Sequence, residues 1–175
     1  MRSSDATFAS ASYASPLGPL TLVAAETGLR AVLWAGDDPG RAGLNGADLV
    51  SAAHPALAEA DRQLDEYFAG TRTEFSLQLD LEGTPFQQAT WRALAEIPYG
   101  VTRTYAQQAL RLGRPRAFRA IGAANGRNPL SIVLPCHRVI GADGSLTGFA
   151  AGLETKRALL EHEQRVIAGR GGPPG

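Results

Sequence analysis

The residues best suited to chemistry lie in one short run, Leu134-Pro135-Cys136-His137-Arg138. Cys136 is the only cysteine in 175 residues, so no intrachain disulfide can form. Its thiol is either a nucleophile or a small buried hydrophobe. The thiolate is the reactive form, and His137 and Arg138 are two neighbours able to favour it. Pro135 cannot donate a ladder hydrogen bond, so the chain leaves any sheet or helix at that point. Side chains of adjacent residues on an extended chain point opposite ways, so His137 needs a bridging water or a bend to reach Cys136. Gly141, Gly144 and Gly148 follow, with Asp143-Gly144 a turn signal, and they allow close backbone approach to a ligand. The run indicates a reactive cysteine without naming its reaction. A cysteine hydrolase is one alternative, although such enzymes usually bring their histidine from a distant segment.

Other chemistries find less support. The histidines are His54, His137 and His162 only, and with a single thiol a structural zinc site is not expected. No nucleotide-binding motif is present, so no cofactor is expected. No apolar run approaches the roughly 18 residues that span a bilayer, and the first twenty residues lack the apolar stretch of a secretory signal. A cytoplasmic protein is expected. The net charge is zero, but residues 1–100 hold 6 basic and 13 acidic side chains, whereas residues 101–175 hold 11 and 4. From Arg103 to Arg138 there are seven arginines and no acid. That is the footprint of a phosphate-contacting surface, or else a solvated face that binds nothing.

The elements that must position these groups can be read from periodicity. Leu20, Leu22 and Ala24, then Leu29, Ala31 and Leu33, alternate on either side of Thr27-Gly28 and predict a β-hairpin. Residues 36–48 are rich in Gly and Asp and read as a surface loop. Leu57, Ala60, Leu64, Tyr67 and Phe68 form one stripe of a helix over 55–69. Phe75, Leu77, Leu79 and Leu81 alternate and predict a further strand. Thr84-Pro85 reads as a helix start, and that helix closes at Pro98-Tyr99-Gly100. Residues 104–113 and 114–128 read as two short helices joined by a Gly-containing turn, a helix-turn-helix pattern whose second helix carries Arg116 and Arg119. Residues 131–134 read as a brief strand, and Leu153–Glu163 as a final helix. The boundaries predicted are an N-terminal unit over 1–83, a C-terminal unit over 84–166 and a flexible Gly/Pro tail over 167–175.

Asn128-Pro129-Leu-Ser-Ile-Val-Leu-Pro-Cys136-His-Arg, with Gly144-Ser-Leu-Thr-Gly-Phe149 and Glu154-Thr-Lys156-Arg-Ala-Leu-Leu-Glu-His-Glu163 after it, closely resembles the O6-alkylguanine-DNA alkyltransferases. The likeness extends to SPLGPLTLVAAETGL near the start and TPFQQATWRALAEIPYGVTRTY in the middle. The resemblance implies an α/β N-terminal ribonuclease-H-like domain and a mostly α C-terminal domain of winged helix-turn-helix type that binds DNA and carries catalysis. It implies a monomer that enters the minor groove of double-stranded DNA, flips O6-alkylguanine out of the stack and transfers the alkyl group irreversibly to Cys136. The same resemblance assigns His137 as base through a water, Glu163 as its orienting group, Tyr105 as donor to N3 of the leaving guanine, and Asn128 as a tie between recognition helix and active-site turn. Arg119 matches the finger that fills the vacated space. Arg116, Ala117 and Ala120 lie on the DNA face, and Val139, Phe149, Ala150 and Lys156 in the substrate pocket. Read on its own residues, Glu163 looks like a solvated charge interchangeable with Glu161, and Arg138 like a structural ion-pair partner.

The chain departs from the family pattern at Phe149, where Tyr is common, and at Ala150-Ala151, where a methyl at 151 could narrow the pocket. Ethyl, benzyl and O4-thymine adducts are left open. Cys136 argues against the branch that binds lesions without repairing them, and the lack of a preceding cysteine-rich zinc region against the self-methylating regulators. A protein that binds alkylated DNA with an inert cysteine stands as the alternative.

Overall fold

The computed structural model describes residues 6–149 and 151–170. The chain forms two units, one of residues up to Thr84 with Pro129–Val133, the other of Pro85–Asn128 with residues from Leu134 onward.

The first unit is built on a four-stranded sheet. Strands β1 (Thr7–Ser15), β2 (Gly18–Ala25), β3 (Gly28–Trp34) and β4 (Asp48–Ser51) lie in the order β3-β2-β1-β4. The predicted hairpin is β2–β3, antiparallel with Leu22 opposite Val32. Two strands escaped the sequence reading. β1 alternates mostly Ala and Ser, with Tyr13 its one buried side chain, so it carries no strong apolar alternation. β4 is four exposed residues held by parallel pairing to β1. The stretch predicted as a loop contains a 3-10 turn (Pro39–Ala42), and Ala42 and Leu44 bury themselves against Val23, Ala31 and Leu33. Helix α1 (Pro55–Phe68) packs on β1, β2 and β3, burying Leu57, Ala60, Leu64 and Tyr67.

The strand predicted at 75–81 forms only an isolated bridge. Leu29 N–H donates to Gln78 O and Asp80 N–H donates to Leu29 O, at 2.9 Å each. Farther along the same outer edge of β3, Val32 N–H donates to Pro129 O (2.9 Å) and Ser131 N–H to Val32 O. Two segments thus share one edge, leaving neither a full ladder. This pairing also places Pro129–Val133 with the first unit, whereas the sequence reading kept those residues in the second.

The second unit is helical: α2 (Pro85–Leu94), α3 (Tyr105–Arg111), α4 (Phe118–Gly126) and α5 (Leu153–Gly169). A two-strand parallel pair, β5 (Arg103–Thr104) with β6 (Val139–Ile140), completes it. Thr104 caps α3 through a reciprocal capping box with Gln107, which satisfies two orphan N–H groups. Gly113, at φ 69°, ends α3 in a Schellman turn: its N–H donates to Leu110 O and that of Arg114 to Ala109 O. The next helix begins at Phe118, not Arg114. Arg114–Ala117 form a turn with Pro115 at its second position, and Ala117 N–H donates to Arg114 O. Arg116 and Ala117 therefore precede the helix. Trp91 ties α2 to α4 through Nε1–H donated to Ala124 O (2.8 Å). Helix α5 continues to Gly169, so residues 167–169 of the expected tail are helical, and 171–175 lie outside the described residues. No helix among the described residues is long and apolar enough to cross a membrane.

Candidate active site

The chain reaches Cys136 through two tight reversals rather than the predicted strand. Val133 N–H donates to Ser131 O across Ile132, a buried β-branched residue at φ 72°. Such a residue at positive φ is strained by about 1–3 kcal/mol. Cys136 N–H then donates to Leu134 O (2.8 Å) around Pro135, whose φ of −80° and ψ of 67° make an inverse γ-turn. Asn128 Nδ2 donates to Leu134 O (2.7 Å), binding the last residue before Pro129–Val133 to the first residue after it.

Cys136, His137 and Arg138 form a 3-10 turn, all three buried. The bend removes the constraint of an extended chain. His137 is fully enclosed, and its Nε2 lies 2.6 Å from Glu163 Oε2. Arg138 grips the same carboxylate with two nitrogens, Nε to Oε1 at 2.9 Å and Nη2 to Oε2 at 3.1 Å. Its Nη1 donates to Ile97 O (2.8 Å), and Gly100 N–H donates to Glu163 Oε1 (3.0 Å). Gly100 sits at φ 76°, a left-handed conformation that favours glycine, and a Cβ there would displace the Ile167 side chain, whose Cδ1 would lie 1.7 Å away.

The charges of this cluster follow from those contacts. Burial alone would raise the Glu163 pKa, but the His137 and Arg138 contacts outweigh it and hold the carboxyl well below its usual range. Burial pushes the His137 imidazole down, and Arg138 and Lys156 push the same way against the pull of Glu163. The favoured state is a neutral imidazole beside a carboxylate already neutralised by Arg138. A carboxylate only accepts, so Nε2 carries the proton. Nδ1 is then a bare lone pair, and among the described residues it has no protein partner.

On the other flank, Lys156 is buried on α5 and its Nζ donates to Val139 O (2.6 Å) and Thr147 O (2.8 Å). Burial lowers its pKa, while the charge of a Cys136 thiolate would raise it. The attraction is mutual, so Lys156 favours the thiolate. Tyr105 OH donates to Thr147 O (3.1 Å), and its ring lies against Lys156 Nζ at 6.0 Å. Phe149 is buried. Ala150, expected in the substrate pocket, lies outside the described residues.

The structure brings Cys136, His137, Glu163 and Lys156 into one charge-coupled cluster and ties Tyr105 to Lys156 through Thr147. Arg116, Arg119 and Ala120 are exposed, and Ala117 is half-buried. Sequence reasoning left Arg138 outside the site and missed Gly100 and Thr147. Arg138 was also counted in the arginine-rich surface stretch, yet it is buried; Arg111, Arg114, Arg116, Arg119 and Arg127 are the exposed members. Glu163 is buried where a solvated charge seemed natural. Its signal was present: Leu159, Glu163 and Ile167 repeat at four-residue spacing along the buried face of α5.

Comparison with known proteins gives the family of the chain. Residues 9–81 match the 6-O-methylguanine DNA methyltransferase ribonuclease-like domain, and residues 85–165 match the DNA binding domain of the same family. A methylated-DNA–protein-cysteine methyltransferase of Methanosarcina barkeri is 48% identical over 161 residues, covering 87% of this chain and 95% of its own. That of Mycobacterium tuberculosis is 49% identical over 153 residues, covering 86% and 88%. The crystal structure of O6-methylguanine methyltransferase from M. tuberculosis superposes with a TM-score of 0.77 at 45% identity, covering 91% of this chain and 93% of its own. The same organism's protein in complex with DNA gives 0.79 at 44% identity, with 91% and 94% covered. With both domain models matched and relatives aligned over nearly their whole length, the chain belongs to the 6-O-methylguanine DNA methyltransferase family.

Proposed function

We propose that this protein repairs DNA by moving the alkyl group of O6-alkylguanine onto Cys136, once per molecule. The observation that carries the reading is the sole cysteine on a tight turn beside a buried His137–Glu163–Arg138 cluster whose free nitrogen is a lone pair. His137 Nδ1 takes the thiol proton through a bridging water, and Lys156 steadies the thiolate. Sulfur attacks the alkyl carbon as the C–O6 bond breaks, and the bonding electrons return to the guanine ring. Tyr105 supplies a proton or hydrogen bond at N3, for which its hydroxyl must turn from Thr147 O. The products are a thioether and guanine. No second cysteine exists to reverse the thioether, so the protein is spent.

The DNA reading draws on the exposed arginines of 111–127 and on the small residues Ala117, Ala120, Gly122 and Ala123, which let α4 lie close to the minor groove. In it Arg119 occupies the space left by the flipped base, Asn128 holds the turn to α4, and Val139, Phe149 and Ala150 line the base pocket. The ribonuclease-H-like and winged helix-turn-helix descriptions of the two units, and action as a monomer, belong to the same proposal. An inert lesion binder is not favoured, because it leaves the neutral-histidine arrangement beside a thiol without use.

The test is peptide mass spectrometry after incubation with duplex DNA containing O6-methylguanine. One methyl on the Cys136 peptide, saturating at one per chain and absent in Cys136→Ser, is the expected result. Tight lesion binding with no gain of mass would refute transfer.

A further inference from the structure

Helix α4 carries one side chain that its packing does not explain. Ile121, Ala124 and Asn125 form its buried face. At 100° per residue Arg119 points away from that face, and Ala120, Ala123 and Arg127 are exposed with it. Every uncharged member of the exposed set is small except Phe118, the first residue of the helix, which is 46% exposed. An aromatic ring about half exposed at this position forgoes part of the burial that large apolar side chains normally gain.

The position of Phe118 is specific. It shares the flank of α4 with Gly122, four residues on, and the Gly122 backbone runs against the Tyr105 ring, since a Cβ there would lie 3.8 Å from Tyr105 Cε1. Phe118 therefore lies on the flank of the helix that faces Tyr105, about 100° around the axis from Arg119. The surroundings are cationic: Arg116, Arg119 and Arg127 are exposed, and no acid occurs between Arg103 and Arg138. An apolar ring set among arginines suits a polyanion that also offers aromatic faces, which is what unstacked duplex DNA provides.

We propose that Phe118 is a second DNA wedge beside Arg119, laying its ring on the base next to the extruded nucleotide in the same strand. This rests on the DNA reading above. Arg119 contributes charge as well as bulk to the gap. Phe118 covers a base face that extrusion would otherwise leave to water. Stacking has no hydrogen-bond readout, so the contribution is indifferent to which base flanks the lesion.

Wild type, Phe118→Ala, Phe118→Trp and Arg116→Ala are compared for affinity to an O6-methylguanine duplex by fluorescence anisotropy across a salt series, with melting temperatures in parallel. Phe118→Ala is expected to bind about tenfold more weakly, in the range for loss of one base stack. Its slope of log Kd against log salt stays that of wild type, because no phosphate contact is lost. Phe118→Trp retains the affinity. Arg116→Ala lowers the slope by about one, as loss of a phosphate contact does. Unchanged affinity in Phe118→Ala overturns the wedge. So does a loss matched by a fall in melting temperature and not rescued by Trp, and so does absence of duplex binding by wild type. Duplex binding with the expected Phe118 pattern but no methyl on Cys136 would instead sustain the wedge and remove the transfer reading.

Discussion

Replacing Arg138 with Met keeps side-chain length and removes the guanidinium from Glu163. Two consequences follow from the contacts. First, a buried carboxylate loses a bidentate partner at 2.9 and 3.1 Å and keeps His137 and the Gly100 N–H. Breaking a buried pair from one side costs about 3–5 kcal/mol, and protonation of His137 offsets part of it. Second, the balance at His137 shifts toward the protonated form. Burial, Arg138 and Lys156 now hold its pKa below the ordinary 6.5 against Glu163. Without Arg138 only burial and Lys156 oppose the carboxylate, so the imidazole pKa moves up. The imidazole is then protonated at higher pH than in the wild type, which takes away the base near neutrality.

The assay is the rate of Cys136 alkylation by free O6-benzylguanine between about pH 5.5 and 9.5, which separates proton chemistry from DNA binding. Wild type is expected to lose rate only below 6.5, as His137 protonates. In Arg138→Met the acid limb moves to higher pH, with a loss of rate at pH 7 that is recovered near pH 9. Arg138→Lys keeps the charge and loses the fork, so its limb stays near that of wild type while its melting temperature falls. A uniform fall in rate at every pH, with the limb unmoved, would refute the argument that Arg138 keeps His137 neutral. A limb displaced to lower pH would refute it more directly.

Three further outcomes are expected. Stability should fall in acid in two stages. The His137 pKa is lowered from 6.5 on folding, so the unfolded chain takes up its proton first and stability declines once the pH drops below that value; Glu163, lowered from 4.5, adds a second decline below the ordinary carboxylate range. His137→Gln should remove the first stage only, and melting curves from pH 7 to 3.5 in which it persists would contradict the assignment. Asn128→Ala removes the 2.7 Å bond to the buried Leu134 carbonyl, which keeps the Cys136 N–H, and should cost about 0.5–1.5 kcal/mol by urea denaturation, with slower alkylation, whereas a neutral change would show that this tie does not hold the turn. At Ile132, where φ is 72°, Gly should be more stable than Ala despite its smaller side chain, by up to about 1 kcal/mol, and the reverse order would show that the reversal is not strained.

How far the sequence carried depended on whether a signal was local. The β2–β3 hairpin, α1 and α3 each announce themselves by periodicity and a turn or cap residue, and each was legible to within a residue or two. β1 and β4 were not, because Ala–Ser alternation and a four-residue exposed strand gain their state from a partner strand rather than from their own composition. The start of α4 was misplaced because Arg114–Ala117 has helical composition but closes as a turn around Pro115.

The site shows the same division. Cys136 and His137 could be picked out from one run of residues. The role of Arg138 could not, since its charge reads equally as a surface contact or a buried clamp, and only the carboxylate 25 positions on decides between them. That carboxylate was nonetheless readable in principle. Glu161 and Glu163 differ by about 200° around a helix, and only Glu163 falls on the stripe of Leu159 and Ile167. An acid inside an apolar stripe must find a cation or lose its charge. Among the described residues the buried Arg and Lys side chains are Arg138 and Lys156, and Lys156 is taken up by the carbonyls of Val139 and Thr147. The pairing of Glu163 with Arg138 follows from that elimination once the fold has buried both side chains, and the neutrality of His137 follows from its own burial first and from Arg138 second.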